Sequence, residues 1–145
     1  MIDKLTANDR QVGGTHYQAG GNCQHWDWVS INGIGYLEGC ASKYVARWRK
    51  KGGKQDLLKA LHYVEKLMEL YERGILPNHP PGLRGWIIRK LGRQLTVHRI
   101  PAARFAEANK LEQLEQRAVT ILGGWDRLSH LQEVREIIKT LHRGA

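Results

Sequence analysis

From Leu37 the chain takes on helical spacing. Leu37, Cys40, Ala41, Tyr44, Val45 and Trp48 recur at i, i+3, i+4, i+7, i+8 and i+11, one apolar stripe down a single face. Lys43 and Arg47 are four residues apart and share another face, one turn from each other. The run Lys50-Lys51-Gly52-Gly53 closes this helix: cations suit its C-terminal dipole, and Gly52 or Gly53 can take the left-handed cap conformation. A second amphipathic pattern begins at once, with Leu57, Leu61, Val64, Met68 and Tyr71 on one face and Asp56 in the first turn. So short a break predicts an antiparallel helical hairpin.

Upstream, residues 1–24 are polar, glycine-rich and without a period, which predicts an extended or looped arm. Gln24 to Asn32 predicts a two-turn helix, and the stretch Asn32-Gly33-Ile34-Gly35-Tyr36 reads as its stop followed by a turn. Trp26 and Trp28 are two apart and cannot share a helical face, so one belongs to the core and the other to the surface or a site. Downstream, Gly74 to Gly85 holds three of the four prolines and marks a boundary. A short helix to Leu91 and a strand-like or extended piece follow it. Pro101 then opens a helix over 102–122 (Phe105, Leu111, Leu114, Ala118, Ile121, Leu122), and Gly123-Gly124 stop it. Ser129, followed three residues later by Gln132, predicts a capping box that opens a last helix bearing Leu131, Val134, Ile137, Ile138 and Leu141. The expected fold is therefore all-α: a helical hairpin core with an N-terminal Gly-rich arm and a C-terminal helical hairpin. Residues 1–73 form the helical part with its arm and 74–101 a basic Pro/Gly-rich connector. Residues 102–145 form a charge-neutral hairpin suited to packing or homo-oligomer assembly.

Composition narrows the functional classes. The 145 residues suit one domain, and 41% hydrophobic content with five tryptophans supports a real core. No apolar run approaches the roughly 18 residues that a membrane span needs, and the N-terminus lacks a signal-peptide apolar stretch, so the expected setting is cytoplasmic without a membrane partner. The two cysteines are expected reduced. The net charge of +9 is concentrated: residues 37–54 carry +5 and residues 73–104 carry +7 with no acid at all. Such clustering implies an anionic partner, with nucleic acid, a nucleotide or a membrane surface as the classes.

Motifs remove several chemistries. No P-loop, G-x-S-x-G or H-E-x-x-H is present. Carboxylates do not pair up as a Mg-dependent helical hydrolase would need. His16, Cys23, His25 and Cys40 are zinc-ligand types at spacings that match no common pattern, so neither a metal nor a cofactor is expected. A phosphate site fits better. Lys43 and Arg47 have no acid four residues away, and Tyr44 and Trp48 beside them are of the kind that stacks on bases. His16 and Tyr17, between Gly13-Gly14 and Gly20-Gly21, form a strap that could close over a ligand. Lys51, Trp26, Arg93, Arg99 and Arg104 are further candidates.

These residues carry a resemblance. Gly13, Gly14, His16 and Tyr17, then Lys43, Tyr44, Arg47, Lys51 and Gly53, then Asp56, Leu57, Lys59, Ala60 and Tyr63 resemble the pattern of a family of small bacteriophage proteins described as a domain of unknown function. The resemblance spans residues 12–72; where that family carries Asn ahead of the Lys-Tyr pair, this chain has Cys40. One member is described as a nucleotide kinase without a P-loop. The resemblance implies a protein acting in the infected bacterial cell, with a nucleotide-phosphate site at His16, Tyr17, Lys43, Tyr44, Arg47 and Lys51. The leading expectation is binding of a nucleotide or nucleotide-derived signal, for instance sequestration of a host defence messenger. A P-loop-independent nucleoside monophosphate kinase with His16 as proton carrier and a nucleic-acid binder are the alternatives.

Overall fold

The computed structural model describes residues 6–10, 12–14, 23–75 and 100–145. These residues form helices joined by turns, without a strand among them. A 3₁₀ turn at Ala7–Asp9 precedes α1 (His25–Asn32), α2 (Tyr36–Arg47), α3 (Gly53–Glu72), α4 (Ala102–Ala108), α5 (Gln113–Leu122) and α6 (Leu128–Gly144). None of these helices is long and apolar enough to cross a membrane.

The α2–α3 hairpin is the centre, as its two stripes require. Ala41 and Val45 of α2 face Leu57, Ala60 and Val64 of α3, and all five are fully buried. Regular helix ends at Arg47; a looser turn carries the chain on to Gly53, whose φ of 53° supplies the left-handed cap and whose N–H donates to the Trp48 carbonyl at 2.8 Å. Gly33 caps α1 in the same way at φ 63°.

The C-terminal helices do not stand apart. α6 packs along α3 and α5 against α2, so Leu131, Val134 and Ile138 enter the same core as Val64 and Leu67. The apolar faces that suggested assembly are thus covered within the chain. Two buried carboxylates tie the layers: Trp125 Nε1 donates to Glu38 Oε1 at 3.0 Å, and Trp48 Nε1 to Glu115 Oε1 at 2.9 Å.

Two boundaries differ from the sequence expectation. The helix expected over 102–122 is broken into α4 and α5. Asn109 Nδ2 donates to the carbonyls of Phe105 and Cys23, and Lys110 takes a left-handed φ of 55°. A buried Asn satisfies carbonyls that a continuing helix would not leave free, so the chain turns there. The break lets Phe105 stack on Trp28 of α1 (4.8 Å between centroids, planes 10° apart) while α5 crosses to α2. The capping box expected at Ser129 and Gln132 does not form: α6 starts at Leu128 with Arg127 as N-cap, which places Ser129 inside the first turn. The connector reading over residues 76–99 lies outside the described residues.

Candidate functional site

Two short segments, residues 6–10 and 24–27, meet beside α2. Asn8 is the hub that joins them. Its side chain donates to Asp27 Oδ2 (2.9 Å) and accepts from Trp26 Nε1 (2.8 Å), and its carbonyl accepts from Gln24 Nε2 (2.9 Å). Asp27 in turn accepts from the Gln24 N–H and caps α1. Thr6 and Asp9 close a second capping box, whose hydrogen bonds hold the Asp9 carboxyl below its ordinary range. The polar N-terminal segment is thereby fastened to the start of α1.

Between that segment and α2 lies an open groove of about 640 Å³, lined by Ala7, Arg10, Val12, Gln24, His25, Trp26 and Lys43. Trp26 is 49% exposed, whereas Trp28 is in the core. One of the two is therefore core and the other faces the groove, as their spacing required. Neither Arg10 nor Lys43 has an acidic partner among the described residues. Among the described residues the lining thus offers two cations, an indole and an amide, and no carboxylate.

His25 forms the inner wall. Its Nε2 lies 2.8 Å from Ser42 Oγ, and Ser42 Oγ donates to the Gly39 carbonyl at 3.1 Å, which assigns the imidazole N–H to Nε2. The ring packs edge-on against Phe105. Burial, helped by the charge of Lys43 and opposed by the Gly39 carbonyl, pushes its pKa down to about 4. The imidazole is neutral at physiological pH and gives the groove a hydrogen-bonding group without a charge.

The five cations of the Lys43–Lys51 run have separate fates. Arg47 is nine residues from Asp56 and reaches it across the hairpin turn, with Nε–Oδ2 at 2.8 Å and Nη2–Oδ1 at 3.2 Å. Asp56 is 1% exposed and Arg47 16%, so the pair is largely desolvated. Arg49 binds Glu115 (2.8 Å) and Glu112 (2.9 Å), and Lys50 donates to the Asn109 carbonyl at 2.9 Å. Both clamp α2 onto the α4–α5 region. Lys51 is exposed and does not line the groove. Lys43 alone of the five lines it.

Tyr44 sits beside Lys43 under a cluster of cations: Lys43 Nζ and Arg47 Cζ are each 4.8 Å from its ring centre and Lys59 Nζ 5.4 Å. Trp48 is buried against Glu115 and so is removed from base stacking. Of the other sequence candidates, His16, Tyr17, Arg93 and Arg99 lie outside the described residues, and Arg104 is exposed on α4. Sequence reading missed Asn8, Arg10 and Gln24. The Thr6-x-x-Asp9 spacing was a readable signal that this arm is anchored; Asn8 as a hub had none. Among the described residues no three His, Cys, Asp or Glu gather into a group able to hold a metal. No protein family, curated protein or solved structure matches the chain.

Proposed function

We propose that the chain binds a nucleotide or nucleotide-derived signalling molecule in the groove beside α2. The base stacks on Trp26, and the phosphate is held by Lys43 and Arg10. The observation that carries this reading is the pairing of a half-exposed indole with two cations that have no acidic partner among the described residues, around one groove of about 640 Å³. A nucleotide presents the complementary combination, a flat π-face and an anion. The resemblance to the bacteriophage family supports a role in infected cells, where retention of a host signal needs binding and no chemistry. Of its Lys43-Tyr44 pair, Lys43 lines the groove.

The test is calorimetric titration with nucleoside mono-, di- and triphosphates, followed by chromatography of the recovered ligand. Stacking on an aromatic side chain is worth about 1–3 kcal/mol per base, so Trp26→Ala is expected to weaken binding roughly 5- to 150-fold. Lys43→Glu should remove saturable binding. Arg47→Glu is the wrong variant for this purpose, because it would set a carboxylate against buried Asp56 and disturb the hairpin. Recovery of unchanged ligand supports sequestration, and transfer of a phosphate would turn the reading to the kinase alternative. Equal affinity in wild type, Trp26→Ala and Lys43→Glu would refute the site.

A further inference from the structure

Tyr36, Cys40, Lys43 and Arg47 follow each other at helical spacing and share one face of α2. That face is a floor between two walls. On one side stands α1, joined through His25 to Ser42 and carrying Trp26. On the other stands α3, whose Tyr63 lies parallel to Tyr44 (6.0 Å, planes 15° apart) and edge-on to Tyr36 (6.5 Å, 83°). Tyr36 is 75% exposed, with Tyr63 behind it as a backing ring. Lys43 belongs to both sides, since it lines the Trp26 groove and its Nζ lies over Tyr44.

Lys43 thus borders the Trp26 groove as a lining residue and the Tyr44–Tyr63–Tyr36 cluster with its ammonium, and the helix rise from Lys43 back to Tyr36 is about 10 Å. A mononucleotide with its base on Trp26 and its phosphate on Lys43 leaves Tyr36, which does not line the groove, unused. We propose, resting on the nucleotide reading of the groove, that this face takes a two-base ligand: one base on Trp26, the bridging phosphate on Lys43 and the second base on Tyr36. Lys59, close to Tyr44, adds positive potential on the second side.

The experiment compares, on the full chain, adenosine monophosphate, a linear 5′-phosphorylated diadenylate, a cyclic diadenylate and a fifteen-nucleotide adenylate strand. The linear or cyclic dinucleotide is expected to bind at least about 10-fold more tightly than the mononucleotide. Tyr36→Ala should weaken the dinucleotide about 10-fold and leave the mononucleotide unchanged, whereas Trp26→Ala weakens both. Circular dichroism confirms that the exposed Tyr36 variant is folded. If both ligands bind equally and Tyr36→Ala changes neither, the second station is overturned while the groove stands. If the mononucleotide fails to bind and Trp26→Ala is silent, the groove reading itself falls, and this inference with it. Affinity that grows from two nucleotides to fifteen and collapses with salt would also overturn it, assigning the face to a nucleic-acid strand.

Discussion

The turn between α2 and α3 allows a sharp test. A Cβ added at Gly52 would lie 2.1 Å from Asp56 Cγ and 2.2 and 2.4 Å from its two oxygens. The backbone there is no obstacle, since φ −95° and ψ −7° suit any residue. The carboxylate must move, and it is held in two bonds by Arg47. Losing one partner of a buried ion pair costs about 3–5 kcal/mol; here both charges remain and Arg47 can partly rehydrate, so about 2–3 kcal/mol is the better figure. The lower entropy of the unfolded alanine chain offsets about 0.4–1 kcal/mol. Gly52→Ala is therefore expected to destabilise by about 2 kcal/mol, a fall in Tm of roughly 4–8 °C for a chain of this size. In an Asp56→Ala background the obstruction is gone, and the same Gly52→Ala change should become neutral or stabilise by up to about 1 kcal/mol. Urea unfolding followed by circular dichroism gives all four corners of the cycle, provided the m-values agree. Effects that add within about 0.5 kcal/mol would refute the argument, because they would mean the carboxylate does not occupy the space over Gly52.

Three further outcomes follow from the same geometry. The His25 pKa of about 4 lies below its ordinary 6.5, so between these values the unfolded chain binds a proton that the folded chain refuses. Stability is full above pH 6.5 and should fall by about 2–3 kcal/mol as pH drops to 4; His25→Gln should flatten that part of the profile, and an unchanged slope would exclude His25 as its source. Gly123 lies 2.9 Å, measured from an added Cβ, from the six-membered ring of Trp28, so Gly123→Ala should cost about 1–3 kcal/mol in urea unfolding by overpacking the core. Glu115→Ala strips the partner from Trp48 Nε1 and Arg49 Nε at once and should cost about 3 kcal/mol, against less than 1 kcal/mol for the exposed Glu112→Ala.

Much of the local structure was legible in the chain. The α2 and α3 stripes, a glycine cap at Gly52 or Gly53, a helix stop within 32–36 and the division of Trp26 and Trp28 between core and surface or site all follow from spacing, while the structure selects Gly53 and Gly33 as the left-handed caps. Backbone sterics and 3.6-residue periodicity act over a few residues and leave their mark in order. The break at Asn109–Lys110 did not show, because the apolar spacing from Phe105 to Leu114 reads as one helix; what ends it is the Cys23 carbonyl, brought to Asn109 from far up the chain. Charge was the least legible. Five neighbouring cations look alike in sequence, yet Arg47 reaches Asp56, Arg49 reaches Glu115 and Lys50 reaches the Asn109 carbonyl, while Lys43 lies over Tyr44 and lines the groove. Each of those partners lies beyond the range of helical spacing. The sequence alone determined that a basic helical hairpin would form; only the tertiary structure decided which cations are consumed in holding it together and which remain for a ligand, because electrostatic pairing depends on distance in space and not along the chain.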